Sequence, residues 1–379
     1  MFRSALKLAR APASSSVMAT SRRAIATSSF VPPSPFTSAD QKPRHLLSID
    51  DVTAEELHAL VTNAIRHKSL IRSTRDTTTS ATAGSLSAHA LSASSGGLRG
   101  QTVPLIFSKR STRTRVSTEG AVTYLGGHSM FLGKDDIQIG VNESLYDSSR
   151  VISSMTAAIV ARVGPHEDIL GLAEPSSVPV INALSDLFHP FQAITDIMTI
   201  REHFAPNNSG IDALKGLKVA WVGDATNVLH DLAIACAKSG IDIAAATPLE
   251  YPVNLDIVEM VRRAGDETGA IFEVTTDPLA AIKNADVVVT DTWVSMGQEA
   301  EYRLRMQQFQ GYQVTSDMVK AAGANKDWVF MHCLPRHPEE VSDEVFYSDR
   351  SLVFPEAENR LYAAISVLES FVVNKGNIL

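Results

Sequence analysis

The chain has 379 residues and a mass of 40.9 kDa, enough for two domains of ordinary size with substantial cores. Hydrophobic residues make up 44% and charged residues 20%, a composition that excludes collagen-like, wholly disordered and membrane-spanning chains. The formal charge of −8 argues against a nucleic-acid scaffold, since such proteins neutralise phosphates with a basic face. Two cysteines, Cys236 and Cys333, are too few for a disulfide framework and indicate a reducing compartment.

The start of the chain has the composition of a targeting signal. Residues 1–39 contain five basic side chains and no acidic one, among many serines and alanines. An Arg- and Ser-rich start without acids is typical of a mitochondrial transit peptide. We therefore expect residues 1–39 to be a transit peptide and disordered start that directs the chain to the mitochondrial matrix. The alternative is a disordered basic tail.

Predicted elements of the first half alternate between helix and strand. A helix is predicted over residues 53–71, where apolar side chains recur at helical spacing. In residues 73–97, Ser, Thr, Ala and Gly fill 20 of 25 positions, so this low-complexity segment is predicted to be a mobile surface loop. The other predicted elements are strands at 102–107, 157–163 and 178–183 and helices at 113–125, 144–154 and 166–174.

A strongly basic segment follows the first predicted strand. Residues 108–115, SKRSTRTR, place four cationic side chains among hydroxyls at the start of a predicted helix. Guanidinium forks, hydroxyls and the free N–H groups of a helix start together bind phosphate well. The sequence therefore favours an anion site here over a solvated basic turn. The segment lacks the GxxxxGK[ST] pattern of a P-loop.

The motif FHPFQ begins a helix predicted over residues 190–204, because Pro190 suits the first helical position. His189 then lies just before the helix, and Gln192 faces inward from its first turn. Since a positive charge is disfavoured at a helix N-terminus, we expect a neutral imidazole that donates to a carbonyl oxygen. A hydrogen-bonded structural histidine is the alternative.

A second series of strands follows this helix, with helix-like spacers such as 254–269 between them. Strands that alternate with helices predict right-handed crossovers and parallel sheets buried on both faces. The predicted fold is therefore α/β, with two lobes that are each a mostly parallel sheet flanked by helices, and an active site in the cleft between them. The second series of strands is predicted at 217–224, 241–247, 270–274, 286–291 and 328–332.

The strand at 217–224 leads into ATNVLHDLAIACA, a strand–turn–helix that invites a nucleotide-binding interpretation. It lacks GxGxxG, and Asp224, Ala225 and Thr226 stand where close approach to a pyrophosphate requires glycine. A dinucleotide site, and with it a dehydrogenase, is therefore disfavoured. Asn227 could instead hydrogen-bond a small polar substrate or cap the helix.

Two later loops carry polar groups suited to an amino-acid substrate. DTWVSMGQE offers the carboxylate of Asp291, the hydroxyl of Ser295 and the free backbone of Met296 to a zwitterion. HCLPRHP, at 332–338, brings histidine, cysteine and arginine side chains together. No metal site is predicted there, because CxxC and HExxH spacings are absent. A Cys–His dyad is also disfavoured, since the nearest histidine adjoins Cys333 in sequence rather than lying opposite the thiol.

Five motifs taken together closely resemble the ornithine carbamoyltransferases of the anabolic mitochondrial type. The resemblance runs in order from about residue 45 to the end of the chain, interrupted mainly by 73–97. Each motif alone is weak, whereas five in sequence are very specific. They are STRTR (111–115), HPFQ (189–192), DTWVSMGQE (291–299), HCLPR (332–336) and FPEAENR (354–360).

The resemblance implies an activity and an assembly. The family transfers the carbamoyl group of carbamoyl phosphate to the δ-amine of L-ornithine, which gives L-citrulline and phosphate in arginine biosynthesis and the urea cycle. It implies a homotrimer with active sites at subunit interfaces, and no metal or organic cofactor. Neither a nucleic acid nor a membrane is an expected partner.

The resemblance also implies roles for individual residues. The catalytic residues would be Arg113, His189, Asp291 and Cys333. Ornithine would be bound by Asn227, Asp291, Ser295 and Met296. Carbamoyl phosphate would be bound by Ser111, Thr112, Arg113, Thr114, Arg162, His189, Gln192, Cys333, Leu334 and Arg360, with Gln138 lent by a neighbouring subunit.

The implied reaction is chemically consistent with these residues. Amine attack makes the carbonyl oxygen negative, and clustered arginines, Thr114 and His189 would stabilise the tetrahedral species without a covalent intermediate. A lysine-like amine has a pKa of about 10.4, so loss of its proton is part of the barrier. Cys333 and Asp291 are candidates to orient the amine, and the leaving phosphate could take its proton.

The same reasoning predicts a division of the chain. Residues 40–186 are expected to form a carbamoyl-phosphate-binding domain, and residues 187–355 an ornithine-binding domain. The C-terminal helix within 356–379 is expected to pack back on the first domain. Alternatives are a carbamoyltransferase for N-acetylornithine or aspartate, and a non-catalytic mitochondrial binding protein on this fold.

Overall fold

Short apolar strands and amphipathic helices alternate along almost the whole chain. The computed structural model describes residues 42–77, 96–134, 142–207, 210–294 and 299–378. The strands are β1 Thr102–Phe107, β2 His128–Gly133, β3 Ile159–Arg162, β4 Val180–Leu184, β5 Lys218–Val222, β6 Asp242–Ala246, β7 Phe272–Thr275, β8 Val287–Val289 and β9 Val329–Met331.

Helices connect and cover these strands. Short 3-10 helices occur at Ile49–Asp51, Ile211–Leu214 and Glu299–Glu301, and a π-helical turn at Glu369–Val373. The α-helices are α1 Ala54–Thr77, α2 Thr112–Tyr124, α3 Leu145–Ser153, α4 His166–Ala173, α5 Pro190–Phe204, α6 Asn227–Lys238, α7 Leu255–Thr268, α8 Pro278–Ile282, α9 Tyr302–Gln308, α10 Ser316–Ala322, α11 Asp343–Phe346 and α12 Val353–Leu368.

The strands form two sheets, with orders β2-β1-β3-β4 and β7-β6-β5-β8-β9, in which neighbouring strands pair in parallel. Central strands such as β3 and β8 are buried at every position. Because successive side chains point to opposite faces, both faces of each sheet are covered. The predicted fold, two parallel sheets flanked by helices, is confirmed.

The order of the strands sets where a ligand can enter. In each sheet the chain leaves its first strand toward one edge and later returns to the other side of that strand. The resulting switch points lie between β1 and β3 in the first sheet and between β5 and β8 in the second. Connections diverge at such points and leave a crevice beyond the carboxyl ends of the strands.

The last helix returns to the first lobe. Helix α12 packs against α1, α2 and α5 and contributes Tyr362 and Leu368 to the core. Beyond it, Phe371 is fully buried, and the guanidinium carbon of Arg44 lies 5.6 Å from its ring centroid. This packing places Arg360 next to the start of α2, which is part of the basic segment at 108–115.

One hydrophobic core runs through both lobes. It includes Leu105 and Val160 of the first sheet and Val219 and Trp221 of the second. Helices α5 and α6 pack on each other where the two halves meet. No helix among the described residues combines the length and hydropathy that a membrane crossing requires.

Two sequence expectations need correction. Helix α1 continues to Thr77, so the first five residues of the predicted loop at 73–97 are helical. Helix propensities of Ser and Thr are within about 0.7 kcal/mol of alanine, so an established helix propagates through them. Strand β2 was not predicted, because it is an edge strand whose side chains are half-buried or exposed. Residues 1–39 and 78–95 lie outside the described residues.

Helix α6 anchors the start of the first lobe through a buried lysine. The Nζ of Lys238 donates to the carbonyls of Ile49, Asp50 and Val52, at 3.0 Å and 3.2 Å for the first two. These carbonyls belong to the short 3-10 helix and the residue that ends it. The contact therefore ties residues 49–52 to the second lobe.

We expect Lys238→Met to lower the free energy of unfolding by about 2 kcal/mol, because three carbonyls lose their buried donor. Urea denaturation followed by circular dichroism measures the change. The control is Lys283→Met at an exposed position, with an expected effect within about 0.5 kcal/mol. Equal stability of the two variants would contradict the anchoring role.

Candidate active site

Residues from the carboxyl ends of both sheets line one cleft of about 920 Å³. The loop after β1 and the end of β3 supply the first lobe's side, and the loops after β5, β8 and β9 supply the other. Twelve of the residues singled out from the sequence line it, namely Ser111, Thr112, Arg113, Thr114, Arg162, His189, Gln192, Asn227, Asp291, Cys333, Leu334 and Arg360. Gln138, Ser295 and Met296 lie outside the described residues.

The basic segment is arranged as the start of a helix. Ser111 is the N-cap of α2, and its Oγ accepts from the N–H of Thr114 at 3.2 Å. The Thr114 hydroxyl is buried and accepts from Nη2 of Arg360 at 3.1 Å. Arg113 donates to the carbonyl of Leu334, which belongs to the second lobe. The helix start thus contacts two distant parts of the chain, a donor from α12 and a carbonyl acceptor from the loop after β9.

Three arginines meet in this part of the cleft. Arg162 and Arg360 are buried, and burial followed by repulsion from neighbouring guanidiniums lowers the pKa of each to about 10. Both therefore stay positive at neutral pH. Within the described ranges, neither they nor Arg113 forms an ion pair with an acidic side chain. Such uncompensated positive charge suits a dianion such as phosphate.

His189 is the N-cap residue of α5, as the sequence predicted. Its Nε2 lies 3.2 Å from Nη1 of Arg360. Because a guanidinium can only donate, Nε2 accepts and the ring proton sits on Nδ1. Burial, and then the charges of the arginines, lower the pKa of His189 well below its usual range. The imidazole is therefore a neutral donor through Nδ1.

Gln192 is fixed in one orientation by buried charges. Its Oε1 accepts from Arg360, and its Nε2 donates to Asp196 at 2.7 Å and to Glu356 at 2.8 Å. Burial raises the pKa of Asp196 to about 7 and that of Glu356 well above its usual range. Two carboxyls this close hold a proton between them, which limits the negative charge near Arg360.

The opposite side of the cleft carries a carboxylate and a thiol. Asp291 Oδ1 accepts from the Cys333 thiol at 3.2 Å and from the N–H of Thr292 at 2.8 Å. Its Oδ2 accepts from the Thr226 hydroxyl at 3.2 Å. Burial, and then the charge of Asp291, raise the pKa of Cys333 well above its usual range. Cys333 is therefore a neutral thiol rather than a nucleophilic thiolate.

Asn227 begins helix α6 but does not cap it. The cap residue is Thr226, and the Asn227 amide donates to the carbonyl of Ser185. This contact crosses from the second lobe to the strand end that precedes His189. The capping interpretation of Asn227 is therefore wrong, while its place in the cleft matches the substrate interpretation.

Asp291, His332 and Cys333 bring possible metal-ligand atoms within 4.8 Å of one another. Each of these groups already has a partner in the fold. The His332 Nδ1 accepts from the N–H of Leu334 at 2.9 Å, and the thiol donates to Asp291. The arrangement is that of a hydrogen-bonded cluster that shapes the 332–334 loop.

Comparison with known proteins identifies the family of this chain. A model described as "Aspartate/ornithine carbamoyltransferase, carbamoyl-P binding domain" matches residues 44–202, and one described as "Aspartate/ornithine carbamoyltransferase, Asp/Orn binding domain" matches residues 215–371. The mitochondrial ornithine carbamoyltransferase of Coccidioides immitis is 58% identical, over 91% of this chain and 98% of that protein. The chain belongs to the aspartate/ornithine carbamoyltransferase family.

Solved structures of carbamoyltransferases share the fold. That of a mitochondrial ornithine carbamoyltransferase from Coccidioides immitis has a TM-score of 0.78 at 56% identity, covering 89% of this chain and all (100%) of that one. That of the ornithine carbamoyltransferase from Pyrococcus furiosus has a TM-score of 0.76 at 41% identity, covering 88% and 98%. The resemblance drawn from the five motifs is confirmed.

Sequence reasoning missed several residues that shape this carbamoyltransferase site. Asp196 and Glu356 stand behind Gln192, and a buried ion pair joins Arg305 to Asp224 at 2.7 Å on the second lobe's side. Glu356 lies within the FPEAENR motif, which could have drawn attention to it. Asp196 lies one helical turn after Gln192, whereas Arg305 and Asp224 gave no signal because they are 81 residues apart.

The raised pKa of Cys333 predicts a slow reaction with iodoacetamide at about pH 8, since the thiolate is the reactive species. The rate should keep rising to about pH 10, because deprotonation is displaced to higher pH. Mass spectrometry of the modified peptide measures it, with Cys333→Ser as control for the fully buried Cys236. Rapid alkylation that is already maximal at neutral pH would show a thiolate and contradict this description.

Proposed function

We propose that this carbamoyltransferase transfers the carbamoyl group of carbamoyl phosphate to the δ-amine of L-ornithine, which gives L-citrulline and phosphate. The observation that carries the proposal is the division of the cleft. One side holds three arginines without acidic partners, and the other holds Asp291 and Cys333. Relatives named ornithine carbamoyltransferase, 58% to 52% identical over most of the chain, support the choice of reaction.

The first lobe would bind the phosphate group. The helix start at Ser111 to Thr114 offers backbone N–H groups and hydroxyls, and Arg113, Arg162 and Arg360 offer cationic forks. Burial, and then mutual repulsion, lower the pKa of Arg162 and Arg360, and a dianion placed among them offsets both effects. We include Gln138 as the residue that a neighbouring subunit adds.

His189 and Gln192 would hold the carbamoyl group. The neutral imidazole presents its Nδ1 proton, which has no acceptor among the described residues, to the carbonyl oxygen. As the amine attacks, that oxygen gains negative charge, and donors already in place stabilise it without reorganisation. Arginine charge near the same oxygen adds to this effect. The tetrahedral species forms by direct attack, with no covalent intermediate on the protein.

The second lobe would hold the acceptor. Asn227, Asp291, Ser295 and Met296 bind the α-amino and carboxylate groups, which leaves the δ-amine near Cys333 and the backbone of Leu334. A neutral thiol that donates to Asp291 keeps its sulfur lone pairs available to the amine. Only the neutral amine can attack. Because such an amine has a pKa of about 10.4, loss of its first proton is part of the barrier, and the leaving phosphate takes the proton released on attack.

Location and domain division complete the proposal. The chain acts in the mitochondrion, as the names of its relatives and the composition of residues 1–39 support, and we place it in the matrix. Residues 40–186 form the carbamoyl-phosphate domain and 187–355 the ornithine domain, with 356–379 packed on the first. The contacts of α12 with α1 and α2 support this last assignment.

We also propose a homotrimer with active sites between subunits. Large apolar side chains are exposed on the first lobe, where β2 forms the edge of the sheet. Val116, Val151 and Met155 are 67%, 50% and 69% exposed, and Met130 of β2 is 43% exposed. Exposed apolar side chains beside an open strand edge are typical of a surface that is covered in an assembly.

The acceptor is tested on protein that lacks residues 1–39. A colorimetric assay for ureido products is run with carbamoyl phosphate and, separately, L-ornithine, N-acetylornithine or L-aspartate. We expect product with ornithine alone, because Asp291 pairs with a free α-ammonium group. Activity with another acceptor would overturn the second lobe's assignment, and no activity in folded protein that binds carbamoyl phosphate would favour the non-catalytic alternative.

Shared active sites predict complementation between inactive subunits. Arg113→Ala and Gln138→Ala each remove one half of the interface site, so each homotrimer should be inactive. Dissociating and reassembling an equal mixture should restore about a quarter of the wild-type activity, because that fraction of interfaces pairs two intact halves. Refolding each variant alone is the control. Unrestored activity in mixed trimers would contradict a site shared between subunits.

A further inference from the structure

Three residues of helix α6 form hydrogen bonds with the segment 185–189, which follows β4 and ends at His189. The Asn227 amide donates to the carbonyl of Ser185, and His230 Nδ1 donates to that of Leu187 at 2.9 Å. The N–H of His189 donates to Oδ2 of Asp231 at 2.7 Å. Alternate residues of the segment 185–189 are thus each held by one residue of the first turns of α6.

Of these three residues of α6, Asp231 is the most constrained. It is fully buried, and its other oxygen, Oδ1, accepts from the N–H of Ile49 at 2.8 Å. The carboxyl therefore joins His189, the start of the first lobe and the second lobe's helix. Burial raises the pKa of Asp231 to about 8, and the two N–H donors oppose this rise. Each oxygen thus accepts one backbone N–H, and both contacts favour the carboxylate over the protonated carboxyl.

At the start of α5, the backbone of His189 is held by its contact with Asp231. His189 is its N-cap but makes no side-chain capping bond, and Pro190 has no N–H to offer. The imidazole has to stay against Arg360 while presenting Nδ1. Side-chain direction follows from the backbone that carries it, so the position of the His189 backbone sets where the ring proton points.

We propose that Asp231 is a positioning residue for His189, which holds the backbone N–H of that histidine so that its imidazole meets the carbamoyl oxygen. The inference rests on the proposed function. Asp231 does not line the cleft. It reaches the cleft through His189, whereas Lys238, two turns later on the same helix, anchors residues 49–52 without touching 185–189.

The main test is Asp231→Asn, which keeps the size of the side chain but offers only one acceptor oxygen. Its amide N–H₂ then faces one of the two backbone donors. We expect kcat for citrulline formation to fall about tenfold, while the ornithine KM stays within about twofold, because misplacement of a catalytic group affects the transition state most. Asp231→Ser, whose shorter side chain has no amide N–H₂ to face a backbone donor, carries the same expectation if the first variant folds poorly.

Two controls separate positioning from stability. Lys238→Met removes the neighbouring anchor, and we expect it to lower the thermal midpoint but to leave kcat within about twofold of wild type. In a His189→Ala background, Asp231→Asn should cause no further loss of kcat, since the residue through which Asp231 acts is gone. Circular dichroism confirms that each variant is folded.

The outcomes distinguish this inference from the function on which it rests. Wild-type protein that makes no citrulline from ornithine overturns the proposed function itself. An active wild type with an unchanged kcat in Asp231→Asn and Asp231→Ser overturns the positioning role. An equal loss of kcat with and without His189 also overturns it, because the effect would then not pass through the histidine.

Discussion

Repulsion among three guanidiniums, two of them buried and the third half-buried, is the constraint around which the molecule is organised. Arg113, Arg162 and Arg360 come from a helix start, a strand end and helix α12, and in the described part of the chain the fold holds them together without an ion-paired acidic side chain. Nearby groups limit the cost. His189 stays neutral, and the carboxyls behind Gln192 bring partial negative charge close to Arg360. Holding these like charges together lowers the free energy of unfolding. Binding of a dianion relieves the repulsion, and this relief contributes to the affinity.

The two lobes divide the chemistry between them but are not independent. Arg113 donates to Leu334 across the cleft, and Asn227 donates back to Ser185. A continuous core and the packing of α5 on α6 link the halves. Groups on the two sides of the cleft are therefore parts of one hydrogen-bonded frame, and the cleft is not formed by docking two separate units.

Periodicity predicted every described strand except β2, and motifs pointed to residues that line the cleft, because strands, turns and helix starts are local features with local signals. His189 before Pro190 is an example, since proline alone locates the helix start. The contacts of Asp231, and the contact between Gln192 and Glu356, could not be predicted in this way. Asp231 binds residues 42 and 182 positions away, and Gln192 and Glu356 are 164 positions apart. No spacing rule covers such distances.

The place of α12 in the chain has a consequence for biosynthesis. Arg360 belongs to the last α-helix, yet it contacts Thr114, His189 and Gln192 in the first lobe. A nascent chain therefore has only part of its guanidinium cluster until residue 360 has been synthesised, however well its earlier elements have folded. The site is completed only when α12 has been made and has docked on the first lobe.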